Sequence, residues 1–270
     1  MQTSNDLPVG VFDSGVGGLT VVKEILSTLP SERIIYFGDT ARVPYGNKSP
    51  ETIIRYSKQI AGFLVSQNVK AIVIACNTAS AMALDAVREA VDVPVIGVVR
   101  PGTDAAIKAT ANHRIGVIGT EGTIKSGIYD RYIKEKDSSA AIFDKACPLF
   151  VNLVEEGMID DPVTVIMIHR YLDDLIKEHG IDTLILGCTH YPLLQEVIRR
   201  EVGGQIRLVN PAYETACSLK RLLIENRISS SSAPIPAAHK FYVSDAAEKF
   251  RRFAEDILSL NIYSAELKVL

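Results

Sequence analysis

Short, almost uninterrupted apolar runs alternate with helix-patterned segments along most of this chain, and that alternation restricts it to a βα architecture. The pattern predicts strands over residues 9–12, 33–37, 71–75, 93–98, 115–118, 141–143, 184–186, 206–209 and 240–243. Several runs have no polar alternate position, the mark of a strand covered on both faces. Between them, apolar residues recur at helical spacing over 19–29, 50–67, 78–90, 161–178, 212–226 and 245–258. Strand–helix alternation of this kind builds mainly parallel sheets. Such sheets bind ligands outside the carboxyl ends of their strands, so the residues that follow each run are where function is sought.

At 270 residues the chain is long for one core and sufficient for two. It also echoes itself. Ala71-Ile-Val-Ile-Ala-Cys76-Asn77-Thr78 and Thr183-Leu-Ile-Leu-Gly-Cys188-Thr189-His190 share one form: an apolar run, a cysteine, then polar residues. A second echo pairs Val9-Gly-Val-Phe-Asp13-Ser14-Gly15 with Ile115-Gly-Val-Ile-Gly119-Thr120-Glu121-Gly122. Two similar α/β halves follow, each with a cysteine at a strand's carboxyl end. A Ser/Pro/Ala-rich stretch over 229–238 reads as a surface linker.

Composition excludes several classes. A net charge of -3 gives no footing for nucleic acid or an acidic membrane surface, and the Arg199-Arg200 and Arg251-Arg252 pairs read as solvated helix faces. The longest charge-free apolar stretch in the first half, 71–84, is too short to span a bilayer. Residues 1–6 are polar and lack the basic-then-apolar form of a signal peptide, so a cytoplasmic protein is expected. The four cysteines form no C-x-x-C pair and are expected as free thiols. Five histidines and no paired ligand motif argue against a metal site.

Cys147 and Cys217 read as packing residues. Cys76 and Cys188 differ, because each closes an apolar strand and precedes residues suited to a helix N-cap: Asn77 and Thr78 in one case, Thr189 in the other. A thiol at a helix N-terminus gains thiolate character from the dipole and free N–H groups. The loop Asp13-Ser14-Gly15-Val16-Gly17-Gly18 follows the first strand. Its glycines permit positive φ and close backbone approach to an anion. A phosphate loop, a carboxylate nest backed by Asp13 and a plain tight turn all fit it. The polar loop 37–48 carries Asp39, Arg42, Tyr45, Gly46 and Lys48 and suits a site wall or lid as well as it suits a plain surface loop. His190, two residues past Cys188, is placed to be an acid or hydrogen-bond partner.

Four segments carry a joint resemblance: Gly10-Val-Phe-Asp13-Ser14-Gly15-Val-Gly-Gly18, Tyr36-Phe-Gly-Asp39-Thr-Ala-Arg42-Val-Pro-Tyr45-Gly46, Ala75-Cys76-Asn77-Thr78-Ala79 and Leu186-Gly-Cys188-Thr189-His190-Tyr191-Pro192. Over nearly its whole length the chain resembles the aspartate/glutamate racemase superfamily, and within it the bacterial glutamate racemases. The resemblance implies an enzyme that interconverts L- and D-glutamate without cofactor or metal, supplies D-glutamate for peptidoglycan and forms a homodimer. It implies two pseudo-symmetric α/β domains, residues 1–98 plus 210–270 and residues 99–209, with the active site in the cleft between them. It gives Cys76 as the base toward D-glutamate with Asp13 as its partner. Cys188 is then the base toward L-glutamate with His190 and Glu155 as partners, Glu155 being preferred over Glu156. Asp13, Ser14, Tyr45, Gly46, Asn77, Thr78, Thr189 and His190 are implied as substrate contacts.

The chemistry suits these residue types. L and D forms have equal free energy, so the site must work in both directions, with one base as thiolate and the other as thiol. An ordinary thiol, with a pKa of roughly 8.5, serves in either state near neutrality. Without an electron sink, N–H and hydroxyl donors must stabilise charge developing on the α-carboxylate. An aspartate or hydantoin-type racemase, a nucleotide-binding protein built on the Asp13 loop, and a binding protein on a racemase scaffold remain the competing readings.

Overall fold

The computed structural model describes residues 4–230, 239–260, 262 and 264–270. Two parallel sheets organise it. The first is assembled from β1 (Val9–Asp13), β2 (Ile34–Gly38), β3 (Ala71–Ile74), β4 (Val95–Gly97), β9 (Lys240–Val243) and β10 (Ala265–Leu267), in the order β10-β9-β2-β1-β3-β4. The second holds β5 (Arg114–Gly119), β6 (Ala141–Ala146), β7 (Thr183–Gly187) and β8 (Arg207–Val209), in the order β6-β5-β7-β8. Every pairing is parallel. The shared order makes β1 equivalent to β5 and β3 equivalent to β7. Both sequence echoes therefore fall on equivalent strands, and both cysteines follow the third strand of a set.

The connecting helices are α1 (Leu19–Thr28), α2 (Pro50–Ser66), α3 (Asn77–Arg88), α4 (Val99–Ala109), α5 (Glu121–Lys125), α6 (Ile128–Lys136), α7 (Leu149–Glu155), α8 (Pro162–Asp173), α9 (Gln195–Val202), α10 (Pro211–Glu225) and α11 (Ala247–Arg252). Three of them begin alike. Ser49, Asp161 and Asn210 each accept a hydrogen bond from a first-turn N–H, and a proline follows directly. The side chain satisfies an N–H that the helix leaves free, and the proline gives up an N–H that had no partner there.

Burial explains how the halves stay together. One cluster takes Val11 and Tyr36 from the first sheet together with Leu184 and Leu186 from the second, and α10 packs against both α1 and α4. Each fully buried aliphatic side chain contributes roughly 1.5–3 kcal/mol, so a shared core holds the cleft walls in register.

Several sequence expectations need correction. The helices predicted over 161–178 and 245–258 are α-helical only over α8 and α11, then widen into π turns at Asp174–Glu178 and Phe253–Ile257. β6 runs three residues further than predicted because it pairs with β5 along its whole length. β10 was not anticipated; its Glu266 and Leu267 are exposed at a sheet edge and lack the buried apolar run that marks the other strands. Residues 231–238 of the expected linker lie outside the described residues. No helix among the described residues is long and apolar enough to cross a membrane.

Candidate active site

β1 delivers Asp13 to the cleft with its side chain fully buried. The Gly15 N–H donates to Asp13 Oδ2 at 2.9 Å, and the Tyr36 hydroxyl donates to the Gly15 carbonyl at 2.7 Å, clamping the loop. Among the described residues, Asp13 Oδ1 is buried without a hydrogen-bond partner. Burial raises this carboxyl above its ordinary range, against the downward pull of His190 and of the Gly15, Gly18 and Ser14 N–H groups. The glycines here do not take the positive φ that they permit. They are needed for space. A Cβ on Gly17 would lie 2.4 Å from Thr189 Oγ1 and 2.6 Å from the His190 ring, and one on Gly18 would lie 2.4 Å from Asp13 Cβ.

β3 ends two residues before Cys76, which is itself the N-cap of α3; Asn77 and Thr78 form the first turn instead of capping it. Its Sγ accepts from the Ala79 N–H at 3.4 Å and lies 3.6 Å from the Ser14 hydroxyl. Burial pushes this thiol up to about 12, helped by the charge on Asp13 and opposed by the Ala79 and Ser14 bonds.

Cys188 stands at the equivalent place after β7 but does not cap a helix. A turn follows it, and the next helical residues form a short 3-10 segment, Tyr191–Leu194, in which Pro192 occupies the first turn. The dipole expected behind this thiol is replaced by side chains. Cys188 Sγ lies 3.8 Å from His190 Nδ1, His190 Nε2 lies 3.2 Å from Glu155 Oε1, and Lys249 Nζ donates to Glu155 Oε2 at 3.1 Å. Burial pulls the His190 imidazole down, but bonds to Cys188 and Glu155 outweigh it and raise the ring to about 10. The His190 bond, aided by Lys249, holds Glu155 at about 2 in spite of its partial burial. Glu156, at the end of α7, makes no such contact and is exposed.

The polar loop after β2 forms another wall. Fully buried Asp39 accepts from Arg42 Nε, the Tyr45 hydroxyl and the Ser244 hydroxyl, which ties Tyr45 to the strand end of β9. Across the cleft, Thr78 Oγ1 meets Thr120 Oγ1 at 2.9 Å and Thr123 Oγ1 at 3.1 Å, and Tyr129 donates to Asn77 Oδ1 at 2.7 Å.

These walls enclose about 190 Å³, below the roughly 300–1,000 Å³ of drug-sized pockets, so the occupant is small. Ten of the eleven residues singled out in the sequence line this one cavity: Ser14, Tyr45, Gly46, Cys76, Asn77 and Thr78 on one side, and Glu155, Cys188, Thr189 and His190 on the other. Asp13 stands behind the wall and not on it. Cys147 is buried elsewhere, and Cys217 is half-buried on α10. Among the described residues no cluster of His, Cys, Asp and Glu could hold a metal ion.

Sequence reasoning missed Thr120, Val151 and Asn152, which also line the cavity. Thr120 was within reach, since it echoes Ser14 one residue past the equivalent strand. Val151 and Asn152 share a helix face with Glu155 on α7, and only the position of that glutamate would have led to them.

A doubled parallel α/β fold with a thiol at each equivalent strand end, both lining one small cavity, defines a racemase-type protein. The chain belongs to the Asp/Glu/Hydantoin racemase family, whose model matches residues 10–217. Within that family it is similar to the glutamate racemase of Geobacter metallireducens, at 49% identity over 93% of this chain and 92% of that one. Among solved structures it is similar to a glutamate racemase isoform from Bacillus anthracis, with TM-score 0.92 and 40% identity over 98% of both chains. A glutamate racemase from Francisella tularensis in complex with D-glutamate matches with TM-score 0.90 and 40% identity, also over 98% of each chain.

Proposed function

We propose that this chain interconverts L- and D-glutamate without a cofactor and supplies D-glutamate for peptidoglycan. Cys188 acts as base toward L-glutamate and Cys76 toward D-glutamate. The observation that carries this reading is the pair of thiols lining one small cavity from equivalent strand ends. The relatives named above, one of them holding D-glutamate, support the choice of substrate.

In the L-to-D direction the Cys188 thiolate removes the α-proton from one face, and the Cys76 thiol returns its own proton to the other. Cys188 ends as thiol and Cys76 as thiolate, which is the state that D-glutamate requires. Charge developing on the α-carboxylate is met by donors at Asn77, Thr78 and Thr189, which adjoin the two sulfurs in sequence and in the cavity wall. Ser14, Tyr45 and Gly46 hold the side-chain carboxylate. The resting proton is assigned to Cys76, whose thiol is pushed up by burial and by Asp13, while Cys188 has the His190 imidazole 3.8 Å from its sulfur. His190 and Glu155 position Cys188, and Asp13 does so for Cys76. A homodimer and a cytoplasmic setting belong to the same reading; sedimentation and cell fractionation test them.

The experiment is circular dichroism of L-glutamate with purified protein in deuterated water, under reducing conditions, with no pyridoxal phosphate or metal added. Decay of the signal to zero with deuterium at the α-carbon is the expected result. A flat signal without deuterium uptake, with turnover of L-aspartate instead, would overturn the choice of substrate.

A further inference from the structure

We infer that Tyr129 is a positioning residue for the reaction, its hydroxyl fixing the direction in which the Asn77 amide faces the cavity. The inference rests on the racemase reading above. Tyr129 belongs to α6 in the second half, whereas Asn77 follows Cys76 in the first. The Tyr129 ring is buried, and its hydroxyl donates to Asn77 Oδ1 across the cleft at 2.7 Å.

The chemistry of an amide gives this bond its consequence. Asn presents an acceptor oxygen and a donor NH2 at nearly equal reach, and rotation about the last side-chain bond exchanges them. A donor that engages Oδ1 leaves the NH2 as the end available to a ligand. Among the described residues, Nδ2 makes no hydrogen bond to protein, and Asn77 lines the cavity. Burial and the nearby Cys188 raise the Tyr129 hydroxyl far above its ordinary range, so it remains a donor through the working pH span. An amide turned the other way would present oxygen to a carboxylate that is gaining negative charge.

A second contact, equivalent in topology, shows that the arrangement is shared by the two halves. Thr20, on the helix after β1, directs its hydroxyl to the carbonyl of Thr189 at 2.9 Å, and Thr189 follows Cys188 as Asn77 follows Cys76. In each half, the residue next to the cysteine is held by a helix of the opposite half. The first half supplies a hydroxyl to backbone, and the second supplies a hydroxyl to a side chain that faces the ligand. Only the second therefore sets which polar group the cavity presents.

The test compares wild type, Tyr129→Phe, Asn77→Ala and the double variant by steady-state racemisation in both directions, with thermal unfolding alongside. Losing the directed donor is expected to lower kcat by about tenfold to a hundredfold in both directions, with KM changed much less. In the Asn77→Ala background the same hydroxyl deletion is expected to add less than about twofold, because the group it directs is already gone. Wild-type kcat in Tyr129→Phe, or an undiminished loss in the Asn77→Ala background, overturns the inference. Asn77→Ala alone must cost at least as much as Tyr129→Phe, so a fully active Asn77→Ala overturns it however Tyr129→Phe folds. No turnover of glutamate by wild type overturns the proposed function and this inference with it. Turnover by wild type with full activity in Tyr129→Phe removes only the role of Tyr129.

Discussion

Cys76 and Cys188 each follow the third strand of a set with the same strand order, yet the two sulfurs have opposite surroundings. Cys76 has backbone and anion behind it: it caps α3, touches Ser14 and feels the buried Asp13 carboxyl. Cys188 has a relay of side chains, His190, Glu155 and Lys249, that ends on a helix from the other half. One sulfur is thus kept protonated by burial and a nearby negative charge, while the other has a positive charge 3.8 Å away. A duplicated scaffold brings two thiols to one cavity, but equal geometry would leave open which of them carries the proton at rest. Under the proposed mechanism the unequal surroundings put the resting proton on Cys76, and they do so without making the reaction one-directional, since the enantiomers have equal free energy.

The sharpest way to break the comparison is to remove one sulfur at a time. Cys76→Ala and Cys188→Ala should each lower racemisation by at least about 10³-fold, within the range for losing a positioned acid or base. Full activity in either, read by circular dichroism, would end the two-base scheme.

Charge changes behind each sulfur should come next, at about tenfold to a hundredfold for a charged partner worth roughly 1.5–3 kcal/mol. Asp13→Asn removes an anion beside Cys76, so the thiol should fall below about 12 and alkylate faster at pH 8–9 in mass-mapped iodoacetamide labelling. Glu155→Gln removes an acceptor that raises His190. The alkaline limb of the rate profile should then move below about pH 10, with Cys76 labelling unchanged. If both substitutions altered Cys76 labelling equally, the two surroundings would not be independent.

The same sign applies to stability. His190 titrates near 6.5 unfolded and near 10 folded, so its contribution is complete below about pH 6.5 and is lost as pH rises through about 10. Denaturant titrations of Glu155→Gln at pH 6.5 and pH 10 should differ less than those of wild type.

Two adjacent glycines separate the surroundings sterically. Gly17→Ala presses on Thr189 and His190, and Gly18→Ala presses on Asp13. Each should cost about 1–3 kcal/mol of stability as overpacking. Gly17→Ala should disturb the Cys188 side and Gly18→Ala the labelling of Cys76. The smallest effect belongs to Lys249→Met. The pair with Glu155 is mostly exposed on the lysine side, and exposed pairs contribute about 0.2–1 kcal/mol, so kcat should change by no more than about fivefold.

Much of this was legible along the chain. Buried parallel strands announce themselves as unbroken apolar runs, and helix starts such as Ser49-Pro50 and Asn210-Pro211 carry their own chemistry. Both cysteines were visible because strand end and polar turn are consecutive residues. The helix behind Cys188 was misread because Thr189 looks like a cap, whereas the helical turn starts at Tyr191, one residue later than that reading needs, with His190 at the cap position. The glycine loop stayed open among three readings for a different reason: Gly17 answers to Thr189 and His190, far away in sequence, and local conformation gives no hint of them. The π turns after α8 and α11 likewise lack a marker in the apolar period.

By itself, then, the sequence determined the βα class, the doubled arrangement and the two thiols with their polar neighbours, because each strand end and its polar turn are local and their repetition is read directly along the chain. Tertiary structure alone decided what stands behind each thiol. The contacts Tyr129–Asn77, Thr20–Thr189 and Lys249–Glu155 join residues from opposite halves. Their geometry follows from how two sheets pack across a shared core, and apolar periodicity specifies that a face is buried without specifying which face it meets.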